Sequence, residues 1–238
     1  MTAPQNQKMT YRHELKFLMD LSEAAVLRSN IVSIMEPDAN TGPDNCYKIR
    51  SLYFDDYMNS AYQEKIDGVP YRRKYRIRCY NDKDDFIRLE RKIKNGQYIS
   101  KQSAELTREQ TEAIIAGDYE FLLHDPQPLC REFYFECTAK QMRPRVIVDY
   151  EREPYVFEHG DVRITFDMNV RAAVLKFDIF DELLPSIPVM DPAHLLLEVK
   201  FTGFMPKFIK RMLPSDRHLS LAFSKYIMAL EQVMRMQF

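Results

Sequence analysis

The stretch from Tyr71 to Tyr80 carries arginine or lysine at 72, 74, 76 and 78. In an extended chain successive side chains point to opposite faces. Arg72, Lys74, Arg76 and Arg78 therefore share one face, while Tyr71, Tyr75, Ile77 and Cys79 take the other. Like charges spaced about 7 Å apart repel, and a solvated strand face ordinarily mixes signs. A bound anion relieves that repulsion. Arginine's fixed fork beside lysine's mobile ammonium suits phosphate oxygens in particular.

The pattern recurs. Phe86 to Lys94 puts Arg88, Glu90, Lys92 and Lys94 opposite Ile87, Leu89 and Ile93, with Arg91 as the exception. Near the chain ends, Arg12, Glu14 and Lys16 oppose Leu15, Phe17 and Met19, and Glu198, Lys200 and Thr202 oppose Leu195, Leu197, Val199 and Phe201. Arg163, Thr165 and Asp167 oppose Val162, Ile164 and Phe166; Lys48 and Arg50 lead into Tyr53-Phe54-Asp55, and Lys101 follows the Asn95-Gly96 turn. Any one of these strands reads equally well as the wet side of a sandwich. Repetition across most of them points instead to a shared basic interior, which must be hydrated and filled by ligand.

The elements that must position these residues follow from periodicity. Alternation predicts strands over Arg12 to Met19, Tyr47 to Asp55, Tyr71 to Tyr80, Phe86 to Lys94, Arg145 to Arg152, Asp161 to Asp167 and Leu195 to Thr202. Helical spacing marks Leu21 to Met35 with Ser22 as cap, Met58 to Ile66, Thr107 to Ala116 capped by Thr107, and Leu219 to Met236. These helices are expected to cover the outside of the sheet. Loops fall at Pro37 to Asn45, His124 to Leu129 and Pro185 to Pro192, too short to separate domains. Residues 1–10 are polar and expected to be extended or disordered, and residues 11–238 to form one domain.

Composition bounds the rest. The 238 residues are 45% hydrophobic, enough for a buried core. No apolar run reaches the roughly 18 residues of a membrane span, and the first residues lack a signal-peptide core, so a cytoplasmic location is expected. Cys46, Cys79, Cys130 and Cys137 form no C-x-x-C pair and read as reduced thiols. A net charge of −1 argues against a wholly basic nucleic-acid binder. The six glycines form no phosphate-binding loop.

At Arg12-His-Glu-Leu-Lys-Phe17, Ile49-Arg-Ser-Leu-Tyr-Phe-Asp55, Lys74-Tyr-Arg-Ile-Arg78, Leu89-Glu-Arg-Lys92, Leu197-Glu-Val-Lys200 and Ser224-Lys-Tyr226, the chain resembles the VTC domain, the polyphosphate polymerase module of the triphosphate tunnel metalloenzyme fold. The resemblance runs from about Tyr11 to Leu230. It implies an α+β fold, a closed eight-stranded antiparallel β-barrel forming a tunnel with helices packed outside. It also implies transfer of the ATP γ-phosphate to inorganic polyphosphate, with manganese or magnesium as cofactor.

On that resemblance Arg76, Arg78, Arg163 and Lys200 surround the transferred phosphoryl group. Arg12, Lys16, Arg50, Lys74, Lys92, Lys101, Arg152 and Lys225 are expected to bind phosphates. Glu198 is the first choice of metal ligand, with Glu14 and Asp167 behind it, because these cations favour carboxylate oxygen. Hydrolysing relatives carry Glu-x-Glu-x-Lys where this chain reads Glu14-Leu15-Lys16-Phe17-Leu18, a cation in place of a second carboxylate, which weighs toward transfer over water attack. The rival readings are a tunnel triphosphatase or polyphosphatase and a non-catalytic module that binds polyphosphate or nucleotide. ATP and polyphosphate are the expected partners, not nucleic acid; a membrane-protein recipient and the oligomeric state stay open.

Overall fold

A computed structural model of the chain describes residues 12–96, 98–173, 176–214 and 223–236. The expectation for residues 1–10 lies outside these, as does the start of the helix expected from Leu219. Among the described residues ten strands form one antiparallel sheet: β1 (His13–Asp20), β2 (Glu36–Pro37), β3 (Tyr47–Asp55), β4 (Tyr71–Tyr80), β5 (Lys83–Asn95), β6 (Tyr98–Leu106), β7 (Arg143–Phe157), β8 (Val162–Ala173), β9 (Ser186–Pro188) and β10 (His194–Phe201). Eight run in the order β1-β10-β8-β7-β3-β4-β5-β6, with β2 pairing β7 and β9 pairing β8. The helices are α1 (Leu21–Ile31), α2 (Ser60–Ile66), α3 (Arg108–Ala116), α4 (Glu120–Leu123), α5 (Pro128–Ala139), α6 (Lys207–Met212) and α7 (Lys225–Met236).

Local chemistry sets several boundaries. Asn81 and Asp82 both adopt positive φ, of 53° and 56°, which gives the two-residue hairpin joining β4 to β5 a twist matching its strands. Asp20, not Ser22, caps α1, accepting the Glu23 N–H at 2.8 Å. Thr107 caps α3 as expected, in a capping box with Gln110.

Two strong elements were invisible to periodicity. The β6 strand turns Ser100, Ala104 and Leu106 inward, too small and polar a set to register as alternation. A loop was expected at His124 to Leu129, yet Pro128 opens α5, where its fixed φ and missing N–H suit the first helical turn.

The expected closed barrel is corrected. Among the described residues the outermost strands of the eight, β1 and β6, meet through one bridge, Arg12 to Ile99, where the Arg12 N–H donates to the Ile99 carbonyl at 3.2 Å, and no ladder of hydrogen bonds closes the sheet.

The placement of the helices is corrected in part. One face of the sheet is apolar and packs on helices, as expected: Leu52, Ile77, Leu89 and Ile147 against α3, α4 and α5, and Phe17, Phe166, Leu197 and Val199 against α1 and α6. The opposite face is divided. Part of it carries Ile49, Val146, Val148, Val170 and Leu196, and α7 lies there, burying a stripe of Tyr226, Ala229, Leu230 and Val233 at helical spacing. So α7 occupies the concave side, with α2 beside it contributing Tyr62. Asp55, wholly buried at the end of β3, ties these pieces together: it accepts N–H bonds from Ala61 at 2.9 Å and Tyr62 at 3.0 Å, and the Tyr226 hydroxyl donates to it at 2.6 Å. The four cysteines are unpaired. Among the described residues no helix is long and apolar enough to cross a membrane.

Candidate functional site

The remainder of the concave face encloses a cavity of about 330 Å³. Alternation along β4 sends Tyr75, Ile77 and Cys79 into the core, and Arg72, Lys74, Arg76 and Arg78 into this cavity. Eleven lysines and arginines line it against two glutamates, Glu14 and Glu198. An interior so unbalanced in sign requires an anion.

Arg76 and Arg78 are held by different chemistry. Arg76 engages the Glu90 carboxylate through Nε at 2.7 Å and Nη2 at 2.6 Å, and donates to the Tyr53 hydroxyl at 3.0 Å. Arg78 donates to two neutral oxygens, Ser51 Oγ and the Tyr150 hydroxyl, each at 3.0 Å, with Glu90 no nearer than 3.9 Å. Burial disfavours the charged form of Glu90, but Arg76, Arg78 and Lys101 hold its carboxyl well below the usual range. Arg78 is thus the less neutralised of the two.

A second group centres on the glutamates. Lys92 reaches Glu14 at 2.8 Å, Lys200 reaches Glu198 at 3.0 Å, and Lys16 stands between them, 3.5 Å from Glu198 and 3.9 Å from Glu14. Arg152 bridges Glu198 at 3.2 Å and Asp167 at 2.7 Å, and Lys225 also contacts Asp167. Burial opposes ionisation of Glu198 and Asp167, yet Lys200 and Lys16 keep the first ionised and Arg152 and Lys225 the second.

For a divalent cation the donor set is partial. Among the described residues no group of three or more acidic, histidine or cysteine side chains gathers as a ready cage. Glu14 and Glu198 face the cavity and fit such a cation if phosphate oxygens and water complete its shell, which is how magnesium ordinarily binds. Asp167 fits less well: it is fully buried behind Arg152 and Lys225 and does not line the cavity.

Not every expected residue reaches the cavity. Arg50 lies on the other face of β3, buried, its guanidinium two-pronged on Asp149 at 2.9 Å and donating to the carbonyls of Ile179 and Asp181. Arg12 is exposed and paired with Asp161. Arg163 bonds Asp38 and the Tyr47 hydroxyl away from the cavity lining, and Lys101 joins the group only through Glu90. Conversely Tyr53, Tyr150, Lys65 and Ser224 line the cavity without having been expected there, although Tyr53 and Ser224 stand in the quoted motifs. Parity misled at Tyr53: with Arg50 expected at the cavity, residue 53 fell on the opposite face, and the structure reverses the two.

Lys74 is a titration probe of the site. It donates to Ser224 Oγ at 3.1 Å and sits 4.8 Å from the centre of the Tyr226 ring. Burial, then the charges of Lys16, Lys92, Lys65 and Arg72, push its ammonium well below the ordinary 10.5, while burial pushes Lys200 down to about 8 against the pull of Glu198 and Glu14. Between the depressed value and 10.5 the unfolded chain binds the proton and the empty fold does not, so the contribution of Lys74 to stability rises with pH across that window. An anion that restores the charge must take up a proton. Calorimetric titration with long-chain polyphosphate at about pH 9, in buffers of different ionisation enthalpy, is expected to show proton uptake, reduced in Lys74→Met. Unchanged uptake in that variant would remove Lys74 from the anion's surroundings.

In fold, the chain is similar to a candidate adenylate cyclase from Bacillus halodurans, with a TM-score of 0.51 at 12% identity over 86% of each chain. It is also similar to a candidate adenylyl cyclase from Hippeastrum whose dominant activity is that of a triphosphatase, with a TM-score of 0.50 at 12% identity over 86% of this chain and 84% of that one. No curated protein matches the sequence. The sequence pattern of the VTC domain, however, matches residues 11–234, which take in every strand that builds the cavity. The chain belongs to the VTC domain family.

Proposed function

We propose that the protein is a metal-dependent polyphosphate polymerase that transfers the ATP γ-phosphate to a growing inorganic polyphosphate chain in the basic cavity. The observation that carries this reading is the cavity lining, eleven cations against two glutamates on the face where β4, β5, β1 and β10 turn their charged side chains. Phosphoryl transfer asks for in-line positioning and for cations around the charge spread over the transferred group. Arg76 and Arg78 from β4 and Lys200 from β10 supply them; Lys16, Lys74, Lys92, Arg152 and Lys225 hold the flanking phosphates. Arg163, removed from the lining, has at most a role at the rim. A manganese or magnesium ion on Glu198 and Glu14 would supply charge neutralisation between phosphate oxygens.

Lys16 is the feature that favours transfer over hydrolysis. It points into the cavity between Glu14 and Glu198, where a third carboxylate would otherwise help activate water. The triphosphatase activity of the Hippeastrum protein makes hydrolysis the second reading.

The experiment is incubation with ATP and manganese, reading polymer on a gel and released orthophosphate together, with Glu198→Ala as control. Polymer from the unsubstituted protein and none from the variant is the expected result. Orthophosphate without polymer would establish a hydrolase, and neither product would leave a binding module.

A further inference from the structure

Beyond β10 the chain turns through Gly203 into α6, and residues 203–214 carry Lys207, Lys210 and Arg211 without a carboxylate among them. Met205, Ile209 and Met212 join the core that holds Phe166 and Leu197. Helical spacing then turns Phe204, Lys207, Phe208 and Arg211, at i, i+3, i+4 and i+7, to the outside. Phe204 is 65% exposed and Phe208 47%. Both are held in place: the Phe204 carbonyl packs on Gly160 so closely that a Cβ there would come within 2.6 Å of it, and Phe208 meets Phe157 edge-on with ring centres 5.5 Å apart. Among the described residues Lys207, Lys210 and Arg211 form no ion pair. The apolar surface continues past α6, where Val26 of α1, also 65% exposed, shares a shallow depression with Met212 and Pro214. Glu23 stands at the edge of that depression, and the β7–β8 turn adds Glu158 and Asp161, the latter paired with Arg12, so cations keep the majority.

We propose that this face, led by Phe204 and Phe208 with Lys207, Lys210 and Arg211, docks the protein on an anionic lipid surface. The phenyl rings enter the headgroup region, while the lysine and arginine stems lie along it and carry their charges to the lipid phosphates and carboxylates. A second copy of the chain fits the face poorly, since a two-fold contact sets the same three cations opposite themselves. A protein partner fits it poorly as well, because the centre of a protein interface is depleted of lysine, and here Lys207 stands between the two rings. The docking is independent of the chemistry in the cavity.

The chain has no tryptophan, so Phe204→Trp places a single fluorophore on the patch. With vesicles of phosphatidylcholine and phosphatidylserine, mixed about three to one, its emission is expected to shift to the blue and to be quenched by brominated acyl chains; with phosphatidylcholine alone neither should occur. That readout separates this face from the cavity, whose cations could hold a vesicle without moving the fluorophore into lipid. In co-sedimentation with the same mixed vesicles, Lys207→Gln/Arg211→Gln should lose roughly fivefold in affinity for each charge removed while melting with the parent, because both side chains are exposed and unpaired. Added salt should weaken the parent's binding toward that of the variant. Absence of vesicle binding, binding that leaves the emission unmoved, equal affinity of the double variant, or equal binding to phosphatidylcholine alone would overturn the proposal. So would a concentration-dependent dimer that Phe204→Ser abolishes, which assigns the face to a second copy.

Discussion

Replacing Arg78 with alanine is expected to lower phosphoryl transfer by on the order of 10²- to 10³-fold while the protein stays folded, the scale seen when one preorganised donor to developing charge is lost. The guanidinium is buried and its donors rest on the Ser51 and Tyr150 hydroxyls, so no carboxylate neutralises it at close range. Its charge is therefore more available to a ligand than that of Arg76. Truncation leaves two hydroxyls short of a donor, costing about 1–3 kcal/mol, and removes a repulsion with Arg76 that offsets part of this. Steady-state kinetics beside a thermal melt checks both halves. A variant with near-normal turnover would remove Arg78 from the reacting centre. Arg76→Ala is a poorer test, because it strips Glu90 of its closest partner and mixes a folding defect with a catalytic one.

Arg50→Ala should produce the reverse pattern, a large loss of stability with no specific loss of anion affinity in whatever folds. Arg50 is 1% exposed and meets Asp149 with both prongs of its guanidinium, so truncation leaves this buried carboxylate with only the longer contact to Lys48 at 3.9 Å. Breaking such a pair costs about 3–5 kcal/mol. For a chain of this size that corresponds to a fall in melting temperature on the order of 10 °C. Denaturant unfolding with tripolyphosphate binding measured in parallel decides the matter: a marked loss of affinity in a stable Arg50→Ala protein would place Arg50 at the ligand after all.

These two arginines show how far the sequence could be read. On β4 the cations from Lys74 to Arg78 alternate with Tyr75, Ile77 and Cys79, and only Arg73, paired with Glu132 and Glu136, breaks the pattern, so period two assigned the faces and Arg76 and Arg78 lie where expected. On β3 every residue from Ile49 to Asp55 is buried. A strand covered on both sides carries no alternation to say which face is which, and Arg50 was drawn to the cavity by its charge. The amphipathic stripe of α7 announced a helix with one buried side; it could not say which face of the sheet would receive it. Closure was illegible for a related reason. Whether β1 and β6 pair depends on the stagger accumulated across eight strands, which no local pattern records. The carboxylates fared in proportion to their surroundings: Glu198 and Glu14 face the cavity, while Asp167, identical in its alternation, disappears behind the arginine beside it.

The bond from Tyr226 to Asp55 has a consequence for the order in which the protein comes into being. Its two ends are 171 residues apart. On a ribosome adding about 5–20 residues each second, the carboxylate precedes its phenol by roughly 10–30 s. In that interval β4 and β5 have emerged with their cations, but Lys225 has not yet met Asp167, nor has α7 covered Val146 and Val148. The nascent chain then exposes an uncovered apolar strip beside its cations, and only the last helix turns that face into a binding site.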